Sequence, residues 1–182
     1  MRIGVISDTH VPVRARVLPG AVFEVLAGVD LILHAGDLVT LDVLDELAAI
    51  APVMAVHGNV DRPEVIERLP AVLRVEVGAD GSVKVNTTGS QPNGKPLIIG
   101  LVHGHDGAGR TTPERAASHF PDAGVVVFGH SHQPLNEWRE GRLFFNPGSA
   151  TDPRRAPWPS VGVIEVGRAV RAVRAEIIRL AG

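Results

Sequence analysis

The sequence predicts an α/β fold with a parallel sheet, and three observations carry that prediction. Apolar runs with little alternation recur along the chain, as in strands buried on both faces. In the first third, stretches of helical spacing separate them, giving β-α-β-α-β, an order that implies right-handed crossovers between parallel strands. Five of the runs end in a small cluster of Asp, Asn or His: Asp8-Thr9-His10, Gly36-Asp37, Gly58-Asn59-Val60-Asp61, His103-Gly104-His105 and Gly129-His130-Ser131-His132. Open α/β sheets hold ligands beyond the carboxyl ends of their strands. Five strands would therefore deliver these residues to one place.

Residues 2–7 form the first predicted strand. Pro12 and Pro19 bracket a loop, after which Val22, Phe23 and Leu26 give helical spacing to 21–27. A second strand covers 30–34, and Thr40 is placed to cap a helix over 41–50, with Leu41, Leu44 and Leu47 on one face. The third strand is 52–57, and Pro63 suits the first position of a short helix. Residues 73–77 and 82–85 flank Gly78-Ala79-Asp80-Gly81, a hairpin signal. The stretch 87–96, rich in Gly, Pro, Asn and Ser, reads as an exposed loop. A buried strand follows at 97–102. Thr112 as cap, with Pro113 at the first helical position, then opens a helix. After a strand at 125–128, the segments 135–139, 142–145 and 161–166 read as strands joined by tight turns. The last segment supports two readings: Val170, Val173, Ile177 and Leu180 fit a helix, whereas Val173, Ala175 and Ile177 alternate as in a strand. With no repeat, low-complexity tract or linker, one domain over 1–182 is expected.

Composition narrows the chemistry. Apolar residues make up 45% of the chain, enough for a substantial core, while a net charge of −2 lacks the basic excess of a nucleic-acid binder. Arginines in the final third read as a solvated face. With no cysteine, metal ligands must be oxygen and nitrogen. A cleaved leader would remove the first cluster, and no apolar stretch reaches bilayer length, so the expected location is the cytoplasm, with no membrane partner.

Carboxylate, amide and imidazole together make a metal site, and seven such residues are too many for one ion. Asp8 and His10 lie two apart beyond a strand, and in an extended chain such residues face the same side. His130 and His132 repeat the pattern. Asp37 has two oxygens and can bridge two ions, Asn59 offers a neutral carbonyl oxygen and His103 a further imidazole. Arg14 and Arg16, in the loop after the first cluster, are placed either to meet a substrate phosphate or simply to face solvent. Asp61 either orients a ligand or caps the helix at Pro63. His57 is a packing or supporting residue, His119 a helix-surface residue, and Trp138 and Trp158 belong to core or rim.

This ordered set resembles the calcineurin-like metallophosphoesterase superfamily. The small size and the Gly58-Asn59-Val60-Asp61 form are similar to its compact bacterial and archaeal phosphodiesterase branch, as is Asn146-Pro147-Gly148-Ser149 after the last His pair. The resemblance implies a four-layer α/β/β/α sandwich of two mixed sheets flanked by helices, which makes the ambiguous C-terminal segment a strand. It also implies a binuclear centre. One ion would take Asp8, His10 and His132, the other Asn59, His103 and His130, with Asp37 bridging; of His103 and His105, the ligand is the first. Borderline N/O ligation suits Mn²⁺, Ni²⁺, Fe²⁺ or Zn²⁺ better than Mg²⁺, with manganese the leading expectation.

The function so implied is hydrolysis of a small phosphodiester by a metal-bridging hydroxide. Asp37, Asn59 and His105 are the catalytic candidates, and Asn59, His105 and Arg14 the substrate-binding ones. Many relatives carry His where this chain has Val60, which cannot transfer a proton. His105, and after it His34, is the candidate for a replacement acid or phosphate contact. The alternative is a protein-interaction scaffold, as in the retromer subunit with this fold. A nuclease, as in larger relatives with DNA-binding domains, does not fit a chain with no such domain, so no nucleic-acid polymer is expected. By analogy with compact relatives, a homo-oligomer is possible.

Overall fold

The computed structural model describes residues 1–85, 96–167 and 172–181. In chain order the elements are β1 (Arg2–Ile6), α1 (Gly20–Leu26), β2 (Leu31–His34), α2 (Asp42–Ala48), β3 (Val53–Ala55), α3 (Pro63–Arg68), β4 (Val72–Val77) and β5 (Val83–Val85). They continue with β6 (Leu97–Val102), α4 (Thr112–Ser118), β7 (Val125–Val127), β8 (Leu135–Arg139), β9 (Arg142–Asn146), β10 (Ser160–Val166) and β11 (Val173–Arg179). Two sheets result, ordered β11-β10-β1-β2-β3 and β5-β4-β6-β7-β9-β8. Both are mixed. In the first, β1, β2 and β3 run parallel while β10 and β11 are antiparallel; in the second, β6, β7 and β9 form the parallel part.

Strand periodicity explains the layering. Successive side chains point to opposite faces, so Ile3 and Val5 of β1, with Leu31 and Leu33 of β2, enter the space between the sheets. There they meet Val75, Ile99, Leu101, Val125, Val127 and Phe145 from the other sheet. Ile6 and Ile32 point outward, onto Val22, Leu26, Val43, Leu47 and Val65 of the three helices covering that face. On the far side, Ala116 of α4 and Phe120 pack on Val102, Val126 and Phe128. The architecture is the four-layer α/β/β/α sandwich.

Several local expectations shift. Thr40 does not cap α2: Leu41 occupies that position without a side-chain cap, and the Thr40 hydroxyl donates to the Val11 carbonyl at 3.4 Å. A parallel bridge between Val11 and Val39 draws Thr40 toward that loop. The cap of α4 is Thr111, one residue earlier than expected; its hydroxyl accepts from Glu114 N–H, while Glu114 reaches back to the cap. Pro63 does open α3. The tail is a strand, β11, paired along its length with β10. The exposed loop read over 87–96 lies, apart from Pro96, outside the described residues, as does Val170.

Candidate metal centre

All five clusters lie just beyond strand ends, the first three after β1, β2 and β3 of one sheet and the other two after β6 and β7 of the other. The backbone there is not extended. Asp8 (φ 52°), His10 (45°), Asp37 (58°), His130 (65°) and His132 (56°) are all left-handed. Asp8/His10 and His130/His132 therefore share the site through tight reversals, not through strand alternation as the spacing predicts. A non-glycine residue in this region costs about 1–3 kcal/mol and persists only where its surroundings hold it. Here they do. Asp8 N–H donates to Gly36 O and His10 N–H to Asp37 O, both at 3.0 Å, and His130 N–H donates to the Asp8 carboxylate at 3.1 and 3.2 Å, across the two sheets. Gly58 and Gly129 are required by close approach: a Cβ on the first would overlap the Asp37 carboxylate, and one on the second the Ser7 hydroxyl.

The side chains converge. Asp8, His10 and His132 offer donor atoms within 4.8 Å of one another, as do Asp8, Asp37 and His103. All five are buried. Ring tautomers are set from behind, as in metal sites generally. His103 Nδ1 donates to the Ala35 carbonyl at 2.8 Å, so its buried Nε2 faces Asp37 Oδ2 at 3.2 Å. His132 Nδ1 donates to the Asp152 carbonyl, which turns its Nε2 toward His10 Nε2 at 3.2 Å and Asp8 Oδ1 at 3.3 Å. His130 Nδ1 and Asn59 Oδ1 lie 3.1 Å apart, beside the His103 ring. A set of buried carboxylate and imidazole donors within 4.8 Å of one another fits a divalent cation.

Proton affinities reflect the crowding. Burial raises the Asp8 carboxyl, against the charges of His103 and His132. Burial also works to raise Asp37, but the hydrogen bond and charge of His103, with the Val60 N–H, outweigh it and hold it at about 2. For His103, burial opposes the charged ring, yet the Asp37 hydrogen bond and the charges of Asp8 and Asp37 push it up to about 9. His10 falls to about 4, chiefly through burial, with His132 and Arg154 lowering it further against Asp37. His130 also falls to about 4, through burial and then the His103 charge.

The remaining candidates sort by position. His105 is half-buried, its ring 5.5 Å from that of His103 and 6.3 Å from that of His130. Burial and the His103 charge lower its proton affinity. His34 is fully buried and cannot reach a substrate: its Nδ1 accepts from Gly36 N–H and its Nε2 bonds the Thr9 hydroxyl. Burial holds it at about 3, so it is a neutral support beneath the first two loops. Asp61 is a loop anchor, not a helix cap; its oxygens accept from the N–H groups of Asp37, Val39 and Gly58 at 3.1, 2.5 and 2.7 Å. His57 is half-buried, its Nδ1 3.3 Å from the carbonyl of Gly58. His119 ends α4 beside Asp106 at 3.3 Å. Arg14 is exposed and pairs with Asp152, and Arg16 is exposed. Both tryptophans are on the surface, Trp158 beneath the Arg179 guanidinium.

Sequence reasoning missed Ser7, whose hydroxyl donates to Asp8 Oδ2, and the carbonyls of Ala35 and Asp152. It also missed Arg154, 3.5 Å from Asp152. Within the Asn146-Pro147-Gly148-Ser149 motif it quoted, Asn146 donates to Gly129 O and Ser149 to Asp8 O. The motif thus buttresses both flanking clusters.

Comparison with known proteins follows the same line. The model of the calcineurin-like phosphoesterase superfamily domain matches residues 1–169. A probable metallophosphoesterase from Methanothermobacter thermautotrophicus is 40% identical, covering 98% of this chain and 92% of its own. Two solved structures share the fold. Wild-type Vps29 of Entamoeba histolytica, complexed with zinc, has a TM-score of 0.72 at 24% identity, covering 98% of this chain and 99% of that one. An archaeal phosphodiesterase has a TM-score of 0.65 at 22% identity, covering 98% and 100%. Among the described residues, no helix is long and apolar enough to cross a membrane. With a domain match over most of its length and a donor set that fits divalent metal, the chain belongs to the calcineurin-like phosphoesterase superfamily, as a metal-dependent phosphoesterase.

Proposed function

We propose that the protein is a two-metal phosphodiesterase acting on small phosphodiesters. The observation that carries this reading is the convergence of buried carboxylate and imidazole donors, with His103 Nε2 facing Asp37 Oδ2 at 3.2 Å beside Asp8. Asp8, His10 and His132 would hold one ion, Asn59, His103 and His130 the other, and Asp37 would serve both. Bound divalent ions, with Mn²⁺ the leading choice over Ni²⁺, Fe²⁺ or Zn²⁺, supply Lewis acidity and activation of water. The chain's own residues set the stage. Val60 N–H and the Asp61-anchored loop fix the Asp37 carboxylate. His105, neutral at pH 7 because burial and His103 lower its proton affinity, offers an N–H to a substrate oxygen. Val60 is exposed and has no proton to give, so the leaving group departs without acid help from that position. The archaeal phosphodiesterase with the same fold supports the diester preference.

The test is hydrolysis of an activated phosphodiester, and of the matching monoester, by metal-stripped protein with Mn²⁺, Ni²⁺, Zn²⁺ or Mg²⁺ added back. Diester turnover restored by metal, with a loss of about 100-fold or more in Asp37→Ala, is expected. Full activity in that variant would end the bridging role. The zinc complex of Vps29 and the acid-free Val60 position favour one other reading, a scaffold that holds metal without catalysis. Stoichiometric metal binding with no turnover by any ion would select it.

A further inference from the structure

Beside the His10–His132 half of the cluster, two guanidinium groups converge on one carboxylate oxygen. Arg14 Nε and Arg154 Nε each stand 3.5 Å from Asp152 Oδ2, an oxygen shielded from solvent and accepting no hydrogen bond among the described residues. Asp152 is fixed to the centre: its N–H donates to Ser149 Oγ at 2.8 Å, and its carbonyl accepts a hydrogen bond from His132 Nδ1–H. Arg14 is tied to the same half through its N–H, which donates to His10 O at 2.8 Å. Arg154 adopts a left-handed φ of 49°, a strained backbone for a residue that only faces water.

Stability is a poor reason for this arrangement, because ion pairs between exposed side chains contribute little. The arginine side chains are 61% and 48% exposed, against 21% for Asp152. Two guanidinium groups around one carboxylate leave a net positive charge. Guanidinium is also the side-chain group whose planar N–H fork suits phosphate. The charge lies near the centre, since Arg154 acts electrostatically on His10.

We propose that Arg14 and Arg154, held together by Asp152, form a second anion site flanking the metal centre, which selects phosphodiesters bearing a further phosphate on the His10–His132 side. This deepens the phosphodiesterase reading and rests on it for the identity of the substrate. Asp152 acts here as a positioning residue, keeping the two cations together until an anion shares them.

The test is calorimetric binding of non-hydrolysable probes to the full-length, manganese-loaded protein. The probes are linear α,ω-alkane bisphosphonates of about three to five carbons, each paired with the monophosphonate of the same chain length. For at least one length, the wild-type protein should prefer the bisphosphonate by about tenfold or more, and Arg14→Gln and Arg154→Gln should each reduce that ratio to below about threefold. No preference in the wild type, no binding of the bisphosphonate, or a wild-type ratio in both variants would overturn the proposal. The last outcome would assign any preference to chelation of the metal. Failure of the phosphodiesterase reading is separate: it shows as absent diester hydrolysis with every metal, whatever the binding ratio.

Discussion

His103 stands among Asp8 and Asp37 with its Nδ1 committed to the Ala35 carbonyl, and in the metal-free protein it keeps its second proton up to about pH 9. That proton occupies the place of a cation. A metal taking Nε2 must displace it, so binding at pH 7 should release about one proton, and apparent affinity should climb with pH, by about tenfold per unit at most, until His103 deprotonates near 9. Calorimetric metal titrations in two buffers of different ionisation enthalpy check this. Equal heats would mean that His103 is already neutral. At this scale, the readable part of the site was the part made by residue type: carboxylates, amides and imidazoles announce themselves wherever they fall. The carbonyls of Ala35 and Asp152 do not, because every residue carries one, and only the fold decides which is aimed at an imidazole. Asp61 was read as a ligand-orienting group or a helix cap; its acceptance of three loop N–H groups depends on how β2 and β3 lie side by side.

Among the elements, α4 shows how neighbouring signals compete. Thr111 and Thr112 both precede Pro113, and reading proline as the first helical residue selects Thr112 as cap. The capping box selects Thr111 instead, because Glu114 must stand three residues after the cap to return its hydrogen bond. Thr111→Ala should therefore lower stability by about 1 kcal/mol. Thr112→Ala, tested beside it in urea, should cost clearly less; the reverse order would restore the first reading. The central strands were legible from their unbroken apolar runs, as β6 at residues 97–102 shows. The C-terminal segment was not legible from periodicity. Its residues satisfied both periods, and its strand character comes from pairing with β10, a contact outside its own sequence. The turn geometry at the clusters was also hidden, since spacing of two is shared by extended and left-handed chain.

For the whole molecule, the sandwich could be named from the resemblance but not built from pattern, because apolar runs do not say which sheet each strand joins. The structure brings donors from both sheets to one end, where Asp8 accepts from His130 N–H across the interface. The full donor set exists only in the assembled form. Adding Mn²⁺ to stripped protein at about 100 times its dissociation constant should raise stability by about 2.7 kcal/mol for each ion bound, and a chelator should reverse the rise. Thermal melts check this. An unchanged melting temperature in wild type would argue against a site spanning the sheets, and Asp37→Ala, which removes the ligand proposed for both ions, should abolish the shift.

That span has a consequence for biosynthesis. The oxygen-rich half of the proposed ligand set, Asp8, Asp37 and Asn59 with His10, leaves the ribosome early. The other three imidazoles, His103, His130 and His132, arrive much later. A nascent chain short of His103 offers a single ligating imidazole, so it holds borderline metals weakly and leaves them in the cellular pool. Metal capture then marks the completed chain, and the ion enters as the last part of the assembly instead of serving as its template.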